Sequence, residues 1–411
     1  MKEKIFSFID NSIDIAVELQ TELCKRPAVS PESEGEGELL KCEFLEGWLK
    51  QNGITDLVRY DSPDPRAKGG VRPSLLATIP GKDKNLPRFW VMSHLDVVPP
   101  GEMSLWDSDP WTVRSTGEGK DRKLIGRGVE DNQQGMVSSI LAALSYIKQG
   151  LVPERDVKLL FVSDEENGSI YGIDWIIKNH PEVFKKDDLM LIPDSGSKDG
   201  AAIEIAEKNS LWLKLITRGL QAHGSRPDQG INAHLAGADF ALKLFYGLSE
   251  KFSAKDPLFE PDYSTFQLTK KEANVPNINT IPGEDVFYFD MRILPCYPIK
   301  EVLKEVELIK TDIEKKHKVN IEIVVVQGKE SMATSADAPL IAMLSKCIEE
   351  VYQVKTKTIG IGGGTVAAFL RNAGIDSAVW ARIESSAHQP NEYSLLANLL
   401  GDAKIMALMM S

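Results

Sequence analysis

The sequence predicts an α/β fold: a mostly parallel sheet flanked by helices, interrupted by an inserted α+β domain of ferredoxin-like pattern. Three observations carry this. Before residue 209, helical segments and short apolar runs follow the order α, α, β, β, α, β, α, β, which suits a sheet with substantial parallel pairing. Between 209 and 328 the order becomes β-α-β-β-α-β. From Pro339 onward helix and strand alternate again, so the first layer resumes after the interruption. At 411 residues the chain is long enough for two or three domains of about 100–200 residues each. The expected organisation is 1–208 and 329–411 as one domain and 209–328 as the insert.

Each element has its own reason. Residues 4–25 place Ile5, Phe8, Ile9, Ile13, Ala16, Val17, Leu19 and Leu23 at helical spacing on one face. Glu38–Asn52 repeats the pattern and stops at Gly53, a C-cap residue. Ser74–Ile79 is a short strand ended by Pro80-Gly81, and Arg88–Pro99 is a buried strand running into His94-x-Asp96. Trp106–Trp111 is loop, and Gly126–Asn132 is a tight turn. Gly135–Gly150 is a helix of small and apolar residues suited to lying on a sheet. The run Leu159–Ser163 is a buried strand that ends in Asp164-Glu165-Glu166. A helix near Tyr171–Asn179 and a strand Asp188–Pro193 ending at Asp194 follow. In the insert, Ser210–Arg218, Asn277–Ile281, Asp285–Leu294 and Val319–Val326 read as strands, with helices Ile231–Leu248 and Lys300–His317. The last part reads as Leu340–Tyr352, Lys355–Ile359, Gly364–Ala373, Ala378–Ala381 and a closing helix Leu395–Met410.

Composition narrows the function. Apolar residues at 42% and charged residues at 26% describe an ordinary globular chain. The net charge of −12 argues against a nucleic-acid partner and an anionic membrane surface. No run of about 18 apolar residues exists to span a membrane. The N-terminus carries acids throughout and lacks a signal-peptide core. Cys24, Cys42, Cys296 and Cys347 form no Cys-x-x-Cys pair, so neither a thiolate metal site nor a disulfide framework is expected, and a cytoplasmic setting is.

The chemistry gathers at strand ends. Four strand-like runs end in hard ligands: His94-x-Asp96, Asp164-Glu165-Glu166, Asp194, and the last run, which leads to His388. Asp131 sits in a glycine turn before a helix. In an open parallel sheet the strand C-termini line one edge, so these distant residues converge. Three adjacent acids resist desolvation unless they are solvated, paired or holding a cation. Imidazole and carboxylate without thiol suit Zn²⁺, Mn²⁺ or Co²⁺. On a strand, His94 and Asp96 point the same way, which lets Asp96 accept the free ring N–H of His94 and fix its tautomer. Singly, each feature has a plainer reading as a surface pair, a helix cap or a solvated loop; their joint occurrence favours the cation.

The motifs SHLDVVP, GRGVEDNQQG, SDEENGS, PDSG, AHGSRP, NINTIPG, GGGT and AHQPNEY occur in the order and approximate spacing of a known family. Over essentially its whole length the chain resembles the dinuclear zinc amidohydrolases and metallopeptidases (peptidase family M twenty). These include acetylornithine deacetylase, succinyl-diaminopimelate desuccinylase, aminoacylase, glutamate carboxypeptidase and carnosinase-type dipeptidases.

The resemblance implies a catalytic domain from 1–208 and 329–411, and a lid and dimerisation domain from 209–328. It implies two divalent metal ions, most often Zn (Co or Mn also fit), about 3.5–4 Å apart and able to acidify a water and polarise a carbonyl. Asp131 would bridge them; His94 and Asp194 would complete one, and Glu166 and His388 the other. Glu165 would be the general base that takes a proton from the bridging water and returns it to the departing amine, with Asp96 supporting His94. The family also places a cis peptide at Asp131-Asn132.

His223 matches a histidine that reaches the partner subunit's site in a homodimer and steadies the oxyanion. Asn279 and Arg292 match substrate-holding lid positions, and Gly363, Gly364 and Thr365 match a loop that receives the substrate carboxylate. Arg292 after Asp290 equally suits a structural ion pair. The implied substrate is an N-acyl amino acid or a dipeptide. Two departures stand out: Asp-Asn-Gln-Gln-Gly replaces a motif with Lys before its glycine, and Asp194 stands where the desuccinylase branch has Glu. These departures count against a strict desuccinylase and leave dipeptidase or carboxypeptidase activity open beside other deacylase activity. The alternatives are a non-catalytic binding protein on the same fold and a phosphate- or nucleotide-handling enzyme built on Gly362–Thr365, though that loop lacks the Lys-Ser/Thr of a P-loop.

Overall fold

The apolar runs form the centre of an eight-stranded sheet in the computed structural model, which describes residues 1–411. The strand order is Leu57–Pro63, Val71–Ile79, Val157–Val162, Phe89–His94, Leu189–Ser197, Ser377–Arg382, Ala202–Glu207, Lys357–Ile361. Val157–Val162, Phe89–His94, Leu189–Ser197 and Ser377–Arg382 are parallel neighbours. Antiparallel pairs flank them. A parallel strand is covered on both faces, so its sequence runs apolar without alternation. Phe89–His94 is buried at every residue. Since the four middle strands run the same way, the segments leaving them share one edge.

The helix Gln133–Ile147 has no charged residue and is buried along nearly its whole length. It packs on Phe89–His94 and on the closing helix Leu396–Met409. Gly135, in its first turn, permits a close approach to the strand that carries Asp194. A Cβ there would lie 2.6 Å from both Cγ and the carbonyl oxygen of Pro193.

The chain divides into two compact units. One is Met1–Ile205 with Thr334–Thr358 and Phe369–Ser411; the other is Ala206–Ala333 with Ile359–Ala368. The second has a four-stranded antiparallel sheet in the order Thr265–Lys271, Glu284–Ile293, Asn209–Arg218, Asn320–Lys329. Leu211, Leu213 and Leu215 join Phe240, Leu244, Val302 and Val306 of the helices Ala233–Lys251 and Ile299–His317 in one apolar core. Trp212, between them in sequence, is exposed, as the two-residue period of a strand requires.

The β-α-β-β-α-β order holds, but one of its strands is not where the sequence pointed. It is Thr265–Lys271, and only Thr280–Ile281 of the 277–281 run is strand, paired with Ala222–His223. Thr265–Lys271 is a sheet edge, exposed from Gln267 to Lys271, and so shows no apolar alternation. The edge strand Leu57–Pro63 escaped for the same reason. The helical stretch 4–25 is two helices, Lys2–Asp10 and Ile13–Cys24. Asn11 Nδ2 donates to the Ser7 carbonyl at 2.7 Å and Ser12 Oγ to that of Phe8 at 2.8 Å, side-chain bonds that compete with helix continuation. The Asp131-Asn132 peptide is cis.

Candidate active site

His94 ends its strand, and its ring is fixed from both sides. Nδ1 lies 3.0 Å from the backbone carbonyl of Asp96. A carbonyl only accepts, so Nδ1 carries a proton and Nε2 is the atom offered to the site. The Asp96 carboxylate is farther from the ring, at 3.5 Å. The strand stops at His94, so the alternation that would aim both side chains alike does not reach Asp96. That carboxylate instead accepts from the backbone N–H groups of Glu165 at 3.1 Å and Glu166 at 3.0 Å. Asp96 therefore holds the next strand's acidic turn as well as the histidine.

Asp131 gives each of its oxygens to a different imidazole. Oδ1 is 2.9 Å from His94 Nε2, and Oδ2 is 3.0 Å from His388 Nε2. Asp194 Oδ1 is 3.2 Å from His94 Nε2, and Glu166 Oε1 is 3.1 Å from His388 Nε2. Donor atoms of His94, Glu165 and Asp194 lie within 4.8 Å of one another, as do those of His94, Asp131 and Glu166. The tertiary structure thus assembles His94, Asp131, Glu165, Glu166, Asp194 and His388 from five separate segments.

Electrostatics describe a place that calls for positive charge. Burial and the neighbouring Asp194 push the Glu165 carboxyl well above the usual carboxylate range. Burial also raises Glu166, against the hydrogen bond from His388. Burial alone would lower His94; Asp194 and Asp131 overcome it and hold the ring well above its ordinary value. Hydrogen bonds to Asp131 and Glu166 push His388 up to about 10. Asp131 is held low by His388 and His94 in spite of burial. Four carboxylates thus face two imidazoles, and the ion pairs of Asp131, Glu166 and Asp194 are with those imidazoles. An all-oxygen-and-nitrogen donor set with this excess of negative charge fits divalent metal ions.

Several residues that shape the site were not foreseen. Asn132 Nδ2 donates to Asp194 Oδ1 at 2.7 Å and to the Pro193 carbonyl at 2.8 Å, orienting that acid. Asp164, which had no specified role, lies in the left-handed region at φ 63° and anchors the acidic turn. Its carboxylate accepts from Tyr171 N–H at 2.9 Å and from Arg72 at 3.3 Å. Arg72 is fully buried and grips Glu38 with two hydrogen bonds, 2.7 and 2.5 Å. Glu130 and Glu392, both buried, bind the backbone of the loops bearing His388 and Asp131. The short spacing Glu130-Asp131 and the Asn-Glu after His388 were visible, but nothing local indicates their partners.

The remaining expected residues belong to the second unit. His223 pairs across a short ladder with Thr280, next to Asn279, and Ser225 N–H donates to its Nδ1 at 3.1 Å. Arg292 donates to both oxygens of Asp290, at 2.7 and 2.9 Å, and also to the Gly362 carbonyl at 3.1 Å. Thr365 Oγ1 donates to Glu207 at 2.6 Å. The unit thus brings Arg292 together with the start of the Gly362–Thr365 loop, with the arginine already in an ion pair.

Comparisons with known proteins place the chain in a family. Residues 90–411 match the model described as Peptidase family M20/M25/M40. A metallohydrolase of Methanocaldococcus jannaschii is 39% identical, the match covering 96% of this chain and 98% of that protein. A succinyl-diaminopimelate desuccinylase of Coxiella burnetii is 24% identical over 74% of this chain and 79% of its own length. Among solved structures, the dipeptidase Dug1p of Saccharomyces cerevisiae superimposes with a TM-score of 0.73 at 18% identity, covering 100% of this chain and 98% of that one. Aminopeptidase PepT of Bacillus cereus gives 0.73 at 16% identity, covering 96% and 97%. At these identities the two structures speak for the fold.

Proposed function

The chain belongs to peptidase family M20/M25/M40, a metallohydrolase and peptidase family, and from that premise we propose that it cleaves the amide bond of an N-acyl amino acid or small peptide. The observation that carries this is the Asp131 carboxylate, with one oxygen toward His94 and the other toward His388, beside the Glu165 carboxyl. Asp131 would bridge two divalent ions, zinc first among them, with His94 and Asp194 on one side and Glu166 and His388 on the other. Such ions, when bound, acidify a water and polarise the scissile carbonyl.

The chain's own residues do the rest. His94 and Asp194 are held in place by the Asp96 carbonyl and Asn132, so the ligand atoms are set before substrate arrives. Glu165 accepts the proton of the attacking water and hands it to the leaving amine. Asp96 fixes the Glu165 backbone and so the reach of its carboxylate.

In the second unit, Nδ1 of His223 accepts from Ser225, which places the ring proton on Nε2. That proton is available to a substrate oxyanion in a partner subunit of a homodimer. Leu235, Leu242, Tyr246 and Leu268 leave an exposed apolar face on this lid unit, which supports such a dimer. Asn279, Arg292, Gly363, Gly364 and Thr365 would receive the substrate; Arg292 retains N–H groups beyond those used on Asp290 and Gly362. Four free cysteines, three of them buried, accord with a cytoplasmic setting. No helix is long and apolar enough to cross a membrane.

The test is a hydrolysis screen of N-acetyl and N-succinyl amino acids against dipeptides, after chelation and with Zn²⁺, Mn²⁺ or Co²⁺ restored. Turnover of one class, abolished by chelator and recovered with metal, is expected. Metal binding without turnover of any member would favour a binding protein on this fold.

A further inference from the structure

We propose that Glu130 and Glu392 form a reciprocal clamp that sets the spacing between Asp131 and His388, and with it the affinity of the cation site on the Glu166–His388 side. The inference rests on the reading above that Asp131 and His388 are metal ligands; neither clamp residue belongs to that ligand set.

The geometry is crossed. Glu130 directly precedes Asp131, yet its carboxylate binds the other loop: Oε1 accepts from Glu384 N–H at 2.5 Å, and Oε2 from Ser386 N–H at 2.5 Å and Ser386 Oγ at 2.7 Å. Glu392 lies just beyond His388, yet its carboxylate binds the Asp131 loop. Oε2 accepts from Arg127 at 2.6 Å and Gly128 N–H at 3.0 Å, and Oε1 from Glu130 N–H at 2.9 Å and Asp131 N–H at 3.0 Å. Each acid thus sits beside one ligand and grips the backbone that carries the other. Bonds from backbone N–H to a buried carboxylate are short and strong, and their loss strands the donors.

The His388 loop needs such support. Ser385, His388 and Asn391 occupy the left-handed region at φ 61°, 62° and 57°. Side chains other than glycine's seldom adopt it, and surrounding contacts must hold them there. Unlike His94, whose ring is buried, the His388 side chain is 54% exposed. Packing therefore does little to fix His388, and its placement depends on the backbone that Glu130 holds.

The experiment uses the full chain as wild type, Glu130→Gln and Ser386→Ala. Each is stripped with chelator and titrated with Zn²⁺ by calorimetry, with the Co²⁺ visible spectrum as a second readout and Tm recorded in parallel. Gln presents an amide NH₂ to one of the donors that Glu130 now accepts. Wild type should show two binding events. In Glu130→Gln one event should weaken about 10–100-fold, the range for outer-shell partners of metal ligands, while the other stays within about 3-fold. Ser386→Ala, which removes one donor, should shift the same event by less, and it carries the test if Glu130→Gln does not fold. Equal weakening of both events alongside a lowered Tm would mean a merely structural role and overturn the clamp. Two unchanged events would overturn it as well. A wild type that binds no Zn²⁺ would instead remove the metal reading beneath it.

Discussion

Replacing Arg72 by Met tests whether the acidic turn is held by buried charge. The guanidinium has no exposed surface, and it serves Glu38 at 2.5 Å, Asp164 at 3.3 Å and Asp64 at 3.7 Å, carboxylates that are themselves buried. Met fills similar space but leaves these acids facing one another. Removing one partner of a buried ion pair costs about 3–5 kcal/mol. Asp64 keeps Arg66 at 2.9 Å, so the cost falls mainly on Glu38 and Asp164. At roughly 2–4 °C per kcal/mol for a domain of 150–250 residues, Tm should fall by about 6–20 °C. The pH dependence has a sign. Burial already pushes Glu38 up to about 7 with Arg72 present, and loss of the guanidinium pushes it further. A carboxyl raised above its unfolded value favours the fold at low pH and loses that contribution as pH rises through the folded pKa. The variant should therefore lie closer to wild type at pH 5 than at pH 8. Chemical denaturation at both pH values, followed by circular dichroism, measures this. A loss below about 1 kcal/mol at pH 8, or a loss independent of pH, would refute the reasoning.

Three further outcomes are expected. Glu165→Gln should lower kcat by about 10²–10⁴-fold, the contribution of a general base, while retaining the metal content of wild type by elemental analysis; normal turnover would sink the proposed mechanism. Gly135→Ala places a Cβ 2.6 Å from Pro193 and should cost about 1–3 kcal/mol in denaturation, with weakened metal binding because Asp194 follows Pro193. Burial pushes Asp402 up to about 7, against hydrogen bonds from Tyr352, the Arg382 backbone and Gln134. Its contribution is full below about pH 4 and is lost as pH rises through 7, a swing of a few kcal/mol at about 1.4 kcal/mol per unit. Asp402→Asn should flatten the stability profile across that window, and an unaltered profile would show that Asp402 does not titrate there.

Much of the architecture was legible in the residues. The strands leading to His94, Glu165 and Asp194 are predominantly apolar, with Lys158 and Ser93 the polar residues within them, because both faces of a parallel sheet are covered, and burial of that kind leaves a direct mark on sequence. Edge strands such as Thr265–Lys271 and Leu57–Pro63 leave a weak mark, since solvent accepts nearly any side chain there. The split at Asn11-Ser12 was equally hidden, because it turns on which carbonyls two side chains reach.

The site divides along the same line. Position at or after strand ends marked His94, Asp96, Asp164, Glu165, Glu166, Asp194 and His388, and a glycine turn before a helix marked Asp131, because parallel strands deliver their ends to one edge whatever the loop lengths; the family resemblance divided the roles among them. Only the tertiary structure decided how those atoms are held. Asp96 turned out to hold the acidic turn by its carboxylate and His94 by its carbonyl. Arg292 proved to be ion-paired with Asp290. Asp164 acquired a partner in Arg72, and Glu130 and Glu392 acquired theirs more than 250 residues away. Each of these is a carboxylate or guanidinium satisfying groups on a distant segment. Such bonds depend on distance and angle in space, quantities that periodicity and local spacing do not carry.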